Sequence, residues 1–100
     1  MNKIKKGYRV EKRCADELRA QGYLIWKTIR VRFQDLDLWG LFDVAALHPK
    51  GEHILFIQCK SERTDNELRD KIRALKLPLQ CQKWIWIWKE RKGWVKEFYA

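Results

Sequence analysis

Long apolar runs are what this 100-residue chain most clearly lacks. The longest, Trp84 to Trp88, holds five residues, far short of the ~20 that cross a bilayer as a helix. No membrane partner is therefore expected. The opening segment, residues 1–13, has no apolar stretch of the kind a secretory signal needs, so none is expected there. Glycine and proline are scarce, at 5 and 2 residues, which excludes collagen-like repeats and low-complexity linkers. Cys14, Cys59 and Cys81 are odd in number, widely spaced and without a CxxC pair. That excludes a disulfide framework and the common zinc motifs. Each lies in an apolar-periodic stretch, so reduced, buried thiols and a cytoplasmic location are expected. His48 and His53 flank a turn and read as structural or solvated.

Acidic residues are the other shortage. Asp and Glu total 13 against 22 Lys and Arg, a formal net charge of +9. On a small folded domain this surplus points to a polyanionic partner, because counterions released from phosphates drive association. The cations crowd into residues 3–32 and 60–76. With 46% hydrophobic residues and 13% aromatics, one domain with one modest core is expected over residues 1–100.

Ile4, Tyr8, Val10, Cys14 and Leu18 recur at helical spacing, which predicts a helix over 3–21 ended by Gly22. Residues 23–33 are β-branched and aromatic and read as one strand, with a phase slip near Thr28. Residues 34–40 read as a polar loop bearing Asp35 and Asp37, either of which could assist a metal or be a plain loop acid. Two short strands, 41–48 and 53–60, are joined by a turn at Pro49–Glu52. Thr64 and Glu67 have capping-box spacing, predicting a helix to about Leu77 that Pro78 closes. A last hairpin pairs the strands on either side of Arg91, Lys92 and Gly93. The expected fold is α/β: a single domain of order α-β-β-β-α-β-β, a mixed central sheet flanked by helices.

Two of these strands carry polar residues where a core strand should be apolar. Gln58 and Lys60 alternate along one face of the strand at 53–60, since residues two apart point the same way. The hairpin brings Asp43 near them, with the midpoint of the pairing placed inside the turn. An acid, an amide and an ammonium then share a half-buried surface, which is unfavourable unless they pair or bind a metal. A cross-strand Asp43–Lys60 ion pair is the plain alternative.

The pattern of an acid followed, on the neighbouring strand, by an acid-x-Lys triplet resembles the PD-(D/E)XK nuclease superfamily, most closely its small archaeal Holliday-junction resolvase-like branch. Lys6 to Arg13 is similar to that branch's helix opening, with Glu11 at its helical acid. Phe42-Asp43-Val44-Ala45-Ala46 is similar to the metal-binding aspartate strand, and Ile57-Gln58-Cys59-Lys60-Ser61 to the acid-x-Lys-Ser strand. Phe42 stands where the family usually has Pro, and Gln58 where it has Glu or Asp. The resemblance implies a restriction-endonuclease-like core and a Mg²⁺-dependent endonuclease, with Mn²⁺ as a possible substitute, acting as a homodimer on branched DNA. It implies catalytic roles for Glu11, Asp43, Gln58 and Lys60, and metal ligation by Asp43, Gln58, Glu11 and the backbone carbonyl of Cys59. An amide oxygen can ligate Mg²⁺ but brings no charge. The alternative is a non-catalytic nucleic-acid-binding module on the same fold, its metal site weakened by Gln58.

Lys5, Lys6, Arg9, Arg13, Arg30, Arg32, Ser61 and Arg63 surround the expected site and are candidates for phosphate contact, or else a solvated coat and a strand end. Trp84, Trp86 and Trp88 alternate with Ile85 and Ile87, leaving both faces of one strand apolar. Three readings stay open for them: packing against the first helix, a dimer interface, and base stacking.

Overall fold

The first helix, α1 (Lys3–Ala20), forms because apolar residues fall on one stripe. Val10, Cys14 and Leu18, one turn apart, are buried, while Arg9, Lys12, Arg13, Asp16 and Arg19 face water. An i,i+4 ion pair of 2.7 Å between Lys12 and Asp16 supports the outer face. The helix ends in the left-handed turn expected at Gly22, whose φ is 95°. A Cβ there would also sit 3.0 Å from His48 Nε2, so a side chain would need the imidazole to give way as well.

This computed structural model describes the backbone of residues 3–31, 34–36 and 38–99, and the side chains of 9–28 and 38–99. After α1 come β1 (Leu24–Lys27), β2 (Ile29–Val31), β3 (Gln34–Leu36), β4 (Val44–Leu47) and β5 (Ile54–Ser61). Then follow α2 (Asn66–Ala74), β6 (Cys81–Lys89) and β7 (Gly93–Tyr99). The main sheet has five strands in the order β1-β4-β5-β6-β7. Only β5 and β6 run parallel, and α2 is the crossover that a parallel pair needs. The fold is thus a single-domain, mixed α/β sheet with one helix on each face.

Each face has its own core. Val10, Cys14 and Leu18 of α1 pack on Val44, Ala46, Leu55, Ile57, Cys59 and Trp86. Ile72 of α2 packs with Phe42, Ile85, Ile87 and Tyr99 on the other side. Of the two apolar faces of β6, Ile85 and Ile87 are buried under α2, while on the α1 side Trp86 is buried and Trp84 and Trp88 are half-buried.

Four expectations need correction. The strand read over 23–33 is two strands: it breaks at Thr28, and β2 leaves the main sheet to pair with β3 in a separate ribbon. Residues 34–36, expected as loop, are that partner strand. The N-cap of α2 is Asp65 rather than Thr64, its carboxylate accepting from Leu68 N–H at 2.8 Å. The helix also stops at Ala74, before Leu77. Lys83 of β6, buried beneath it, donates to the carbonyls of Ile72 at 2.7 Å, Leu75 at 2.8 Å and Arg73 at 3.5 Å. That ammonium takes the place of the next turn's amides and favours the negative end of the helix.

Candidate active site

Asp43 lies where the β4–β5 ladder ends. The last pairing is Val44 with Ile57, so the hairpin is centred one residue earlier than the symmetric reading of its turn, and Asp43 comes next to Gln58. Its own amide still bonds Ile57 O at 2.9 Å, but the chain then turns away: Phe42 pairs with Leu38 instead. The carboxylate fills the gap. Oδ2 accepts from the Cys59 N–H at 3.1 Å, and Oδ1 accepts from the Thr28 hydroxyl at 3.3 Å. Thr28, itself buried, also gives its amide to Asp43 O at 2.7 Å. The carboxylate is thus fixed in orientation at the backbone between Gln58 and Lys60.

Gln58 and Lys60 pair in register with Ile85 and Ile87 and so share the α2 face of the sheet, both half-buried. Cys59, between them, faces α1 with Ile57 and Leu55. Glu11 comes from that opposite side. It is 4% exposed, an unusual degree of burial for a glutamate in a Glu-Lys-Arg run. Its charge and that of Asp43 both reach the Cys59 thiol. The neighbouring Cys14 thiol, burial, and then these two carboxylates push Cys59 well above the ordinary thiol range. Asp43 therefore sits at the sheet's end with Gln58 and Lys60 on one side and Glu11 on the other. The four expected residues gather around one peptide segment without lying on one face.

Among the described residues, no three His, Cys, Asp or Glu side chains form a ready-made cation cage. The donors in hand are the carboxylates of Asp43 and Glu11, the Gln58 amide oxygen and backbone carbonyls. They are hard oxygens, the kind Mg²⁺ takes, and that ion is commonly held by one or two carboxylates plus substrate phosphate and water. The set fits Mg²⁺ and is unsuited to softer metals.

Beside Lys60 is an open hollow of about 410 Å³, lined by Lys60, Arg63, Thr64 and Asp65. Thr64 Oγ1 is buried here without a hydrogen-bond partner. The cations at this end of the sheet differ from the others. Arg9, Arg13, Lys60, Arg63, Lys89 and Arg91 make no ion pair among the described residues, whereas Lys12, Arg19, Arg69, Lys71, Arg73 and Lys96 each hold a carboxylate. Free positive charge therefore collects around Asp43 and Lys60, with Lys50 and Lys76 the exceptions elsewhere. No family model matches this sequence, and no curated protein matches it significantly. The assignment of this end of the molecule thus rests on its own geometry.

The remaining candidates divide cleanly. Ser61 is half-buried, pairs with Trp88, and its carbonyl accepts from Arg63 N–H at 2.8 Å. Arg32 and Asp37, and the side chains of Lys5, Lys6, Arg30 and Asp35, lie outside the described residues. Trp86 is 3% exposed under α1, so it is a core residue, while Trp84 and Trp88 are half-buried on the same face. Thr28, which anchors Asp43, and Thr64 were not singled out from the sequence as site residues. The phase slip at Thr28 was the available signal for the first; the second was read only as a helix cap.

Proposed function

We propose that this protein is a Mg²⁺-dependent endonuclease of the PD-(D/E)XK type, with a restriction-endonuclease-like core, that cleaves phosphodiester bonds in branched DNA as a homodimer. The observation that carries this reading is the Asp43 carboxylate anchored on the Cys59 N–H, which joins the lone aspartate to the Gln-x-Lys triplet as one unit. The unpaired cations around it support a phosphate-bearing substrate. A helix, an antiparallel strand pair and a parallel crossover in this order also agree with the fold the resemblance implies.

Asp43, with Gln58, Glu11 and the Cys59 carbonyl as co-ligands, would hold the cation. When bound, Mg²⁺ would supply positive charge to the phosphoryl oxygens and lower the pKa of its water. The chain's own residues do the rest. Thr28 and the Cys59 amide fix the carboxylate of Asp43, so its orientation needs no adjustment during reaction. Lys60 sets its ammonium against the phosphate and positions the attacking water. Arg63 and Ser61 hold the adjoining backbone. The absence of a third carboxylate at position 58 favours a second reading, a non-catalytic DNA-binding module with a weak cation site. The two separate on a labelled panel of four-way junction, flap, nicked duplex and single strand, incubated in Mg²⁺, Mn²⁺ and EDTA. Cutting in either metal and none in EDTA is expected; binding without cutting in both metals would select the module.

A further inference from the structure

Trp88, the last residue but one of β6, pairs with Ser61 of β5 on the α1 face of the sheet, opposite to the face of Lys60, and stands beside Trp94 of β7 in the next pairing. The two rings meet edge to face, centroids 5.2 Å apart at 75°. The Arg13 guanidinium lies 4.0 Å from the centre of the Trp88 ring. Both tryptophans are half-buried and Arg13 is exposed. The neighbouring cation–π pair is different in kind: Lys96 sits 4.0 Å over Trp86 but also bonds Glu17 at 3.4 Å, over a ring that is fully in the core. Arg13 has no carboxylate, so its only described partner is the indole it covers.

We propose that Trp88, Trp94 and Arg13 form a stacking platform for an unpaired nucleobase at the same end of the sheet as the phosphodiester site, on its α1 face. This rests on the reading of that end of the sheet as the nucleic-acid face, though not on its being catalytic. Single-stranded nucleic acid is the one partner that offers both an anionic backbone and flat π faces at short, regular spacing. Arg9 shares a surface hollow with Arg13, and Arg91 lies in the turn that joins the strands of Trp88 and Trp94; neither makes an ion pair among the described residues, which is charge complementarity to a phosphate chain rather than to an apolar protein surface. Arg13 is held by a contact that an exposed site makes weak. Its guanidinium can pass to a phosphate while a base takes the indole face, or it can remain as the base's second cover. A substrate whose strand is already open at the cut, such as a flap or a frayed junction arm, would then be preferred over intact duplex.

The test is fluorescence anisotropy in EDTA with two labelled strands of about ten nucleotides, within the usual reach of such sites. One is oligothymidylate; the other is an abasic strand with the same number of phosphates. The unaltered protein is expected to bind the base-bearing strand at least about tenfold more tightly. In Trp94→Leu, whose fold is checked by circular dichroism, that ratio should fall towards one while abasic binding is unchanged. Equal affinity for the two strands in the unaltered protein overturns the platform, as does an unchanged ratio in a folded Trp94→Leu. No metal is present, so failure to cleave would remove the nuclease reading and leave this ratio intact.

Discussion

The Asp43 side chain does work that a backbone carbonyl would otherwise do, accepting from Cys59 N–H where the ladder has ended. A buried N–H without an acceptor is destabilising by about 1–3 kcal/mol, so Asp43→Ala risks the fold as well as the charge. Asp43→Asn keeps an oxygen for Cys59 and removes only the negative charge, which makes it the cleaner variant. Gln58 allows the opposite change. Gln58→Glu adds a charge at the same site, and Mg²⁺ binding measured by calorimetry should tighten by about tenfold or more; unchanged affinity would mean that Gln58 is no ligand. Cys59 is the residue least suited to chemistry here. Its thiol, raised by Cys14, burial and the two carboxylates, should react with a thiol reagent at neutral pH far more slowly than the half-buried Cys81.

Helix α2 is tied down twice, at its end by Lys83 and along its side by Arg69. Arg69 meets Glu97 of β7 in a two-pronged pair, Nε to Oε1 and Nη2 to Oε2, each 2.9 Å. The guanidinium, helped by the Tyr99 hydroxyl, holds the Glu97 carboxyl below its usual range. A carboxyl lowered in the folded state stabilises above its unfolded value and loses that contribution as pH falls through the folded one. The difference in urea midpoint between the unaltered protein and Glu97→Gln should therefore be full at neutral pH. It should vanish only below the ordinary glutamate range, and a constant difference down to strong acid would contradict the pairing. Lys83→Met should lower stability by about 1.5–3 kcal/mol, since it leaves carbonyls at the helix end without their charged donor. The helices, the β4–β5 hairpin and the final hairpin were legible in the sequence because their apolar spacing is regular and their turns carry Gly or Pro. The β2–β3 ribbon was not: Gln34–Leu36 is three residues long, too short for an alternation to be read. Lys83 was equally hidden, because its partners are carbonyls eight to eleven residues away and leave no trace in composition. At the site, Asp43, Gln58 and Lys60 stood out as polar breaks in apolar strands. The burial of Glu11 did not, since its neighbours Lys12 and Arg13 are exposed.

Among the described residues, charge sorts largely by position: most paired cations lie on α2, on β7 and on α1 at Lys12 and Arg19, and most unpaired ones around the sheet end that holds Asp43. DNA affinity should accordingly fall steeply with salt, and Arg9→Gln, Arg13→Gln and Arg63→Gln together should flatten the log–log slope by about 2–3. A slope near zero for the unaltered protein would contradict a phosphate-facing end. No helix among the described residues is long and apolar enough to cross a membrane. Trp86 is a core residue under α1, so Trp86→Glu should unfold the chain rather than yield a folded monomer, which sedimentation with circular dichroism would separate. The most direct test of the proposed site is the cutting rate of a labelled four-way junction in Mg²⁺ by the unaltered protein and by Asp43→Asn. The expected result is Mg²⁺-dependent cleavage that falls by about 10²-fold or more in the variant, with urea midpoints matched. Equal rates in two equally folded proteins, or cleavage that persists in EDTA, would contradict a metal-dependent site at Asp43.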